Sequence, residues 1–429
     1  MTRSARAPAR RLPSSAVQHA FDLARERYAG LGVNVDSALR RLGRFPISVH
    51  CWQGDDIRGF ETSRAELGGG LAVTGNHPGR ARTPSELRAD LEKALSLTPG
   101  KHRVNLHAIY GEFDGRRVER TEIKPSHFSA WINWARHQGL GLDFNPTCFA
   151  HARAADGFTL SHPDRHIRSF WIEHCAASRR VGAAMARALG NHCLTNLWIP
   201  DGFKDTPAER AGARSRLLDS LDQVFQEKLP HVLDSVEPKL FGLGAESCTV
   251  GSHDFYLAYA TSRQKFLCLD AGHFHPTESV ADKISSVLPF LPGILLHLSR
   301  GVRWDSDHVV TWTDELQAMA REVTAVPDPE RVHLGLDYFD ASINRVAAWV
   351  IGLRAVQRAL LTALLEPPQI RAAEKAGDLT ARLAWQEEAK ALPATAVWDH
   401  YCAKHNVPVG EKWLAEIQRH ERDVLSLRG

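Results

Sequence analysis

No uninterrupted apolar run in this sequence approaches the ~20 residues that a bilayer-crossing helix needs, so no membrane span is expected. The basic opening Met1-Thr2-Arg3-Ser4-Ala5-Arg6 runs into Arg10-Arg11-Leu12-Pro13 without the apolar segment of a secretory signal, which points to a cytoplasmic protein. No Cys-x-x-Cys pair is present to suggest a zinc ribbon, and the seven cysteines are an odd number. Cys51, Cys148, Cys193 and Cys268 stand in apolar, strand-like contexts, which suits buried free thiols better than disulfides. An excess of one charge is missing too: 53 basic and 50 acidic residues are well mixed, giving a formal charge of +3. That balance is no electrostatic footprint for nucleic acid, and a small molecule is the expected partner. Low-complexity tracts and linkers are also lacking, so no separate mobile domain is expected.

What is present is an ordinary globular composition, 43% hydrophobic and 24% charged, over 429 residues. That length holds a barrel of about 250 residues with extensions. Short apolar or alternating runs fall at 45–52, 104–110, 140–145, 193–199, 235–242, 266–270, 294–299 and 332–337. Between them lie amphipathic stretches such as 84–97, 125–138, 166–189, 207–226, 279–288 and 314–323, several opened by Thr, Ser, Asp or Pro. Strand followed by helix, about eight times over, argues for a parallel sheet closed into a (β/α)8 barrel. On this reading residues 1–44 form an N-terminal helical segment, 45–341 the catalytic barrel and 342–429 a helical extension in subunit contacts, broken at Glu366-Pro367-Pro368. Gly68-Gly69-Gly70 and Thr74-Gly75-Asn76-His77-Pro78-Gly79 lie after the first strand, where a mobile lid over substrate and a plain long connection are both open readings.

The chemistry is concentrated at the ends of the last four strands. Glu237, Asp270, His297 and Asp337 each sit in or at the end of one apolar run, separated by 33, 27 and 40 residues. Such spacings match one βα unit of about 30 residues, so successive strands would aim one ligand each at a common point. Buried carboxylates are costly unless paired or bound to a cation, and three acids with one imidazole call for a divalent metal. Taken singly, each could instead be a helix cap or a satisfied core group. A second set follows: His273, with Asp305 and Asp307 two apart and on one face of an extended segment. A solvated Asp-x-Asp turn is the alternative there. Oxygen donors with a single imidazole suit Mn2+, Mg2+ or Co2+ better than a structural zinc site. His275 and His308 are open between support or substrate contact and plain core or surface roles.

Lys239 shares the inward face with Glu237 and could neutralise a developing oxyanion, with a structural salt bridge as the competing reading. His50, Trp52, His107, Asp143 and Trp198 decorate strand ends in the first half, and aromatic rings with histidine suit the flat face and hydroxyl edge of a sugar, although each taken singly fits a core role equally well.

Several strings then fit a known pattern: His50-Cys51-Trp52-Gln53-Gly54-Asp55-Asp56, Asn105-Leu106-His107-Ala108-Ile109-Tyr110, Leu142-Asp143-Phe144-Asn145-Pro146, Gly244-Ala245-Glu246-Ser247, Asp270-Ala271-Gly272-His273-Phe274-His275-Pro276 and Arg303-Trp304-Asp305-Ser306-Asp307-His308. From about residue 15 to the C-terminus the chain resembles the L-rhamnose isomerases. The resemblance implies a homotetrameric, cytoplasmic barrel of the xylose-isomerase-like kind that converts L-rhamnose to L-rhamnulose. It implies two divalent ions per subunit, foremost Mn2+, with Zn2+, Co2+ or Mg2+ as alternatives. A structural ion would take Glu237, Asp270, His297 and Asp337, and a catalytic ion His273, Asp305 and Asp307. Asp337, Lys239 and His107 are the expected catalytic residues, and Trp52, Trp198, His107, Lys239 and His273 the expected substrate contacts. A metal-assisted 1,2-hydride shift is the favoured route over an ene-diol. Isomerisation of another aldose, a metal-dependent nuclease or hydrolase, and a sugar-binding protein without activity are the alternatives; the balanced charge disfavours the nuclease.

Overall fold

A computed structural model describes residues 14–61, 73–239, 247–275, 277–302 and 308–428. Eight parallel strands run β1 (Ile47–His50), β2 (Arg103–His107), β3 (Gly141–Asn145), β4 (Cys193–Leu197), β5 (Val232–Val236), β6 (Phe266–Asp270), β7 (Ile294–Leu298) and β8 (Val332–Leu336). Their order is consecutive, β3-β2-β1-β8-β7-β6-β5-β4, and β4 returns beside β3, so the sheet is a nearly closed (β/α)8 barrel as expected. Runs such as Ile-Leu-Leu-His-Leu in β7 are apolar throughout because both faces of a barrel strand are covered. The fifth strand differs from expectation: it begins at Val232 and stops at Val236, so Glu237 and Lys239 lie on the extended segment just beyond it.

Helices α1 (Ser15–Ala29) and α2 (Val35–Leu42) precede the barrel. Around it stand α3 (Pro84–Ser96), α4 (Ser129–Gln138), α5 (Arg165–Leu189), α6 (Ala211–Val224), α7 (His253–Arg263), α8 (Val280–Val287), α9 (Asp314–Ala325) and α10 (Arg345–Leu364). Four more follow, α11 (Pro368–Lys375), α12 (Leu379–Lys390), α13 (Ala394–Lys404) and α14 (Trp413–Asp423). Local chemistry fixes many of their ends. Thr83 caps α3 ahead of Pro84, Asp164 caps α5 and Thr313 caps α9, each side chain accepting a first-turn N–H that the helix leaves unpaired. Asn344 caps α10 by accepting from both Val346 and Ala347. α10 is the one described helix long and apolar enough to cross a membrane, yet 83% of its apolar window is buried inside the molecule, against α2, α3 and α9.

The barrel interior is divided. On the β4–β7 side Leu194, Cys268 and Leu295, with Leu233 packed against them, form an apolar plug. Next to it, on β1 to β3, the interior is ionic: Asp143 accepts from Arg103 Nε (2.9 Å) and Nη2 (2.8 Å), from Ser48 Oγ (2.6 Å) and from the backbone N–H of Leu194 (2.9 Å). Of the two readings open for Asp143, sugar contact and core, the structure takes the second: it is engaged inside the barrel. All seven cysteines are free and buried, as expected.

Candidate metal centre and sugar pocket

Above this plug, at the C-terminal ends of β5 to β8, four of the expected metal ligands meet. Glu237, Asp270, His297 and Asp337 offer ligand atoms that all lie within 4.8 Å of one another. Backbone pairing sets their height. His297 is in register with Asp270 on one side and Gly335 on the other. Glu237 and Asp337 lie one residue past their strands, but Glu237 N donates to Leu197 O (3.0 Å) and Asp337 N to Leu298 O (3.1 Å), so each ligand stays tied to the next strand. Gly335 packs closely against the imidazole: a Cβ there would stand 3.1 Å from His297 Cδ2.

The cage is under-satisfied as it stands. His297 Nδ1 lies 3.1 Å from Asp337 Oδ2 and 3.5 Å from both Glu237 Oε1 and Asp270 Oδ2, yet neither ring nitrogen of His297 makes a hydrogen bond, nor does Asp270 Oδ2. Buried polar atoms without partners are expensive, and atoms that converge without pairing suit a shared cation. Burial opposes a proton on His297, but Cys268, Glu237 and Asp337 around it outweigh burial and raise its pKa well above the usual value. The acids therefore create a field that demands positive charge at this point.

The ligands' other atoms are held from outside. Trp52 Nε1 donates to Asp337 Oδ1 (3.0 Å), Gly272 N to Asp270 Oδ1 (2.6 Å), and Asn196 Nδ2 to Glu237 Oε2. His273 stands at the rim, where its Nδ1 donates to Pro238 O (3.0 Å), leaving the Nε2 lone pair as the ring's acceptor. Asp305 and Asp307 lie outside the described residues.

Beside the cage runs an aromatic wall. The Trp52 and His107 rings meet edge to face at 4.8 Å, His107 and Phe149 at 5.5 Å, and Phe149 and Trp198 at 6.0 Å. Lys239 closes the row, its Nζ 5.6 Å from the Trp198 ring and donating to Pro200 O (3.1 Å). Burial pushes the pKa of His107 down to about 4 against the pull of Asp337, and His50 down to about 4 in the same way. Both imidazoles are thus neutral near pH 7. His107 Nδ1 pairs with Thr147 Oγ1 (3.3 Å), and His50 Nε2 donates to Tyr338 O (2.5 Å). His275 turns to Thr277 Oγ1 (2.6 Å), and His308 is exposed, bridging by backbone to Arg300.

Phe149 and Asn196 were not singled out in the sequence. Asn196 had a signal, since it lies two residues before Trp198 and so on the same strand face. Phe149 had none: its loop is shaped by Arg120, whose guanidinium donates to the carbonyls of Thr147, Phe149 and Ala150 from far away in the chain.

The L-rhamnose isomerase family model matches residues 15–428. The chain belongs to the L-rhamnose isomerase family. It is 59% identical over 415 residues to the L-rhamnose isomerase of Rhodopirellula baltica, covering 96% of this chain and 97% of that one. To the L-rhamnose isomerases of Shigella flexneri serotype 5b and Escherichia coli O1:K1 it is 57% identical over 416 residues, covering 96% of this chain and 99% of each. A solved L-ribulose 3-epimerase aligns at 15% identity with a TM-score of 0.49, over 77% of this chain and 98% of that one. That likeness is too slight to add to the fold, which stands on the strand order. Membership of the L-rhamnose isomerase family agrees with the motif resemblance, and the buried four-ligand cluster agrees with a metal-dependent sugar isomerase.

Proposed function

We propose that this protein is an aldose-ketose isomerase that converts L-rhamnose to L-rhamnulose. The observation that carries the reading is the Glu237–Asp270–His297–Asp337 cage at the mouth of the barrel, in a chain of this family. In the balanced step, the C2–H bond breaks and a C1–H bond forms as hydride moves, while the proton on O2 is passed to O1. Two divalent cations, foremost Mn2+, would polarise the carbonyl and the neighbouring hydroxyl so that hydride can move without a strong base.

The chain's own groups supply position and proton handling. Trp52, His107 and Trp198 give the sugar an apolar face at one side of the cage. Lys239 places its ammonium near that face, suited to hold a sugar oxygen as negative charge develops. Asp337 stands between the cage and the wall, the place from which a carboxylate could take or return a hydroxyl proton. His273 with Asp305 and Asp307 is the set assigned to the second ion. The free, buried cysteines support a reducing, cytoplasmic setting. On α12 no residue is buried, and Leu379 and Leu383, one turn apart, are 58% and 57% exposed; this supports packing of the C-terminal extension against further copies in a homotetramer, which light scattering tests.

Chelation by EDTA followed by return of single metals, with conversion of L-rhamnose followed, tests the function. Activity must vanish and return with a divalent ion; undiminished turnover after thorough chelation ends the reading. Deuterium placed at C2 should appear at C1 with little exchange, and near-complete wash-out would replace the hydride shift by the ene-diol route. Asp305→Asn and His273→Ala should abolish turnover in a folded protein. The rates of L-mannose and L-lyxose against L-rhamnose settle the choice among aldoses.

A further inference from the structure

At the barrel's seam, β3 and β4 share no backbone ladder among the described residues. Side chains of β3 take its place. Asp143 Oδ1 accepts from Leu194 N (2.9 Å), and Asn145 Oδ1 accepts from Asn196 N (3.2 Å). The second tie continues toward the cage, because the amide of Asn196 itself donates from Nδ2 to Glu237 Oε2. An ionised carboxylate only accepts, so the amide must present its nitrogen there. That choice leaves Asn196 Oδ1 buried without a partner. The orientation is therefore held by Glu237, at the expense of an orphaned oxygen.

The consequence falls on the other oxygen. Glu237 Oε1 faces the cage, 3.5 Å from His297 Nδ1 and 3.4 Å from His273 Nδ1. Oε2 is committed to an amide that is 1% exposed, so the donor is shielded from bulk solvent. We infer that Asn196 is a positioning residue: it makes Glu237 a one-oxygen ligand and fixes which oxygen meets the cation, and Asn145 holds Asn196 in place from across the seam. The inference rests on the reading that this cage takes a divalent ion.

The test is calorimetric titration of the metal-stripped, full-length protein with Mn2+, with folding checked separately by circular dichroism. Asn196→Leu keeps the shape and removes the donor, and should weaken the tighter Mn2+ site by about 10–100-fold, the usual effect of losing a partner of a metal ligand. Asn145→Leu should weaken it less, in the same direction. Asn105→Leu is the control, the same change on β2 in the same barrel interior, and should leave Mn2+ binding near that of the parent. The electron paramagnetic resonance spectrum of bound Mn2+ should also change in Asn196→Leu, as the free Oε2 turns toward the ion. Parental affinity in a folded Asn196→Leu, or an equal loss in the control, overturns the inference. Should Asn196→Leu fail to fold, parental affinity in Asn145→Leu overturns it instead. A parent protein that takes up no Mn2+ removes the metal reading on which the inference stands.

Discussion

Trp52 gives its indole N–H to Asp337 Oδ1 at 3.0 Å while the other oxygen of that carboxylate stands 3.1 Å from His297 Nδ1, so one side chain of the aromatic wall holds one ligand of the cage. A hydrogen bond to a charged acceptor contributes about 1.5–3 kcal/mol. Trp52→Phe keeps an apolar ring beside His107 but removes this donor. Its kcat/KM on L-rhamnose should fall at limiting Mn2+, and much of the loss should be recovered as Mn2+ is raised. A deficit independent of Mn2+ concentration would show that the indole acts on the sugar alone.

Gly335 stands beside His297, and the 3.1 Å approach of a virtual Cβ to the imidazole leaves almost no room for a side chain. In Gly335→Ala the ring must yield by a few tenths of an ångström; in Gly335→Val it must turn. Overpacking of this kind costs about 1–3 kcal/mol. Metal affinity should fall in the order glycine, alanine, valine, measured by competition with a chelating dye. Equal affinity in Gly335→Val would mean that the ring can shift freely, against the tight packing described above.

Removing the cation should also cost stability. A metal that binds only the native chain adds about 2.7 kcal/mol when present at a hundred times its Kd. Asp270 Oδ2 and both His297 nitrogens have no hydrogen-bond partner in the protein, so the metal-stripped protein should melt at lower temperature and recover its midpoint with Mn2+ in a dose-dependent way. Calorimetric scans over a series of Mn2+ concentrations would show this, and a midpoint indifferent to metal would contradict it.

The barrel and the four-ligand cage were legible in the sequence because both depend on period. Eight apolar runs at βα spacing give the sheet, and one metal-competent side chain near each of the last four gives the site. What stayed hidden depends on contacts between distant segments. The sequence leaves a sugar contact and a core role equally open for Asp143, and Arg103 one strand away decides for the barrel interior. Asp56 and Ile57 adopt left-handed φ of 59° and 57°, uncommon for any side chain and most unfavourable for a β-branched one. Nothing local predicts this; Arg345, 289 positions on, holds Asp56 with two hydrogen bonds of 2.7 and 2.8 Å. Phe149 likewise enters the pocket wall through the distant Arg120. The fifth strand starts and stops three or more residues before the expected run because Asp234 interrupts the apolar pair Val232-Leu233, and because Pro238, which cannot donate to a ladder, ends the pairing that the run 235–242 carries through.

The Arg103–Asp143 pair makes a final prediction, with a sign that depends on pH. Burial raises the pKa of Asp143, but the Arg103 guanidinium beside it outweighs burial, with help from His192 and Ser48, and brings it to about 2. An unfolded aspartate titrates near 3.9, so the pair's contribution, about 2–3 kcal/mol, is fully present above pH ~4 and is lost as pH falls toward 2. In Arg103→Met the carboxylate stays buried without its counter-charge, at a cost of about 3–5 kcal/mol near neutral pH. Its pKa must then rise above the unfolded value, so acid, which weakens the parent, should relieve the variant by protonating Asp143. The stability difference between the two, from urea unfolding at several pH values, should therefore shrink steadily from pH 7 to pH 3. A difference constant over that range would mean that Arg103 supports the barrel by packing alone and that Asp143 carries no buried charge.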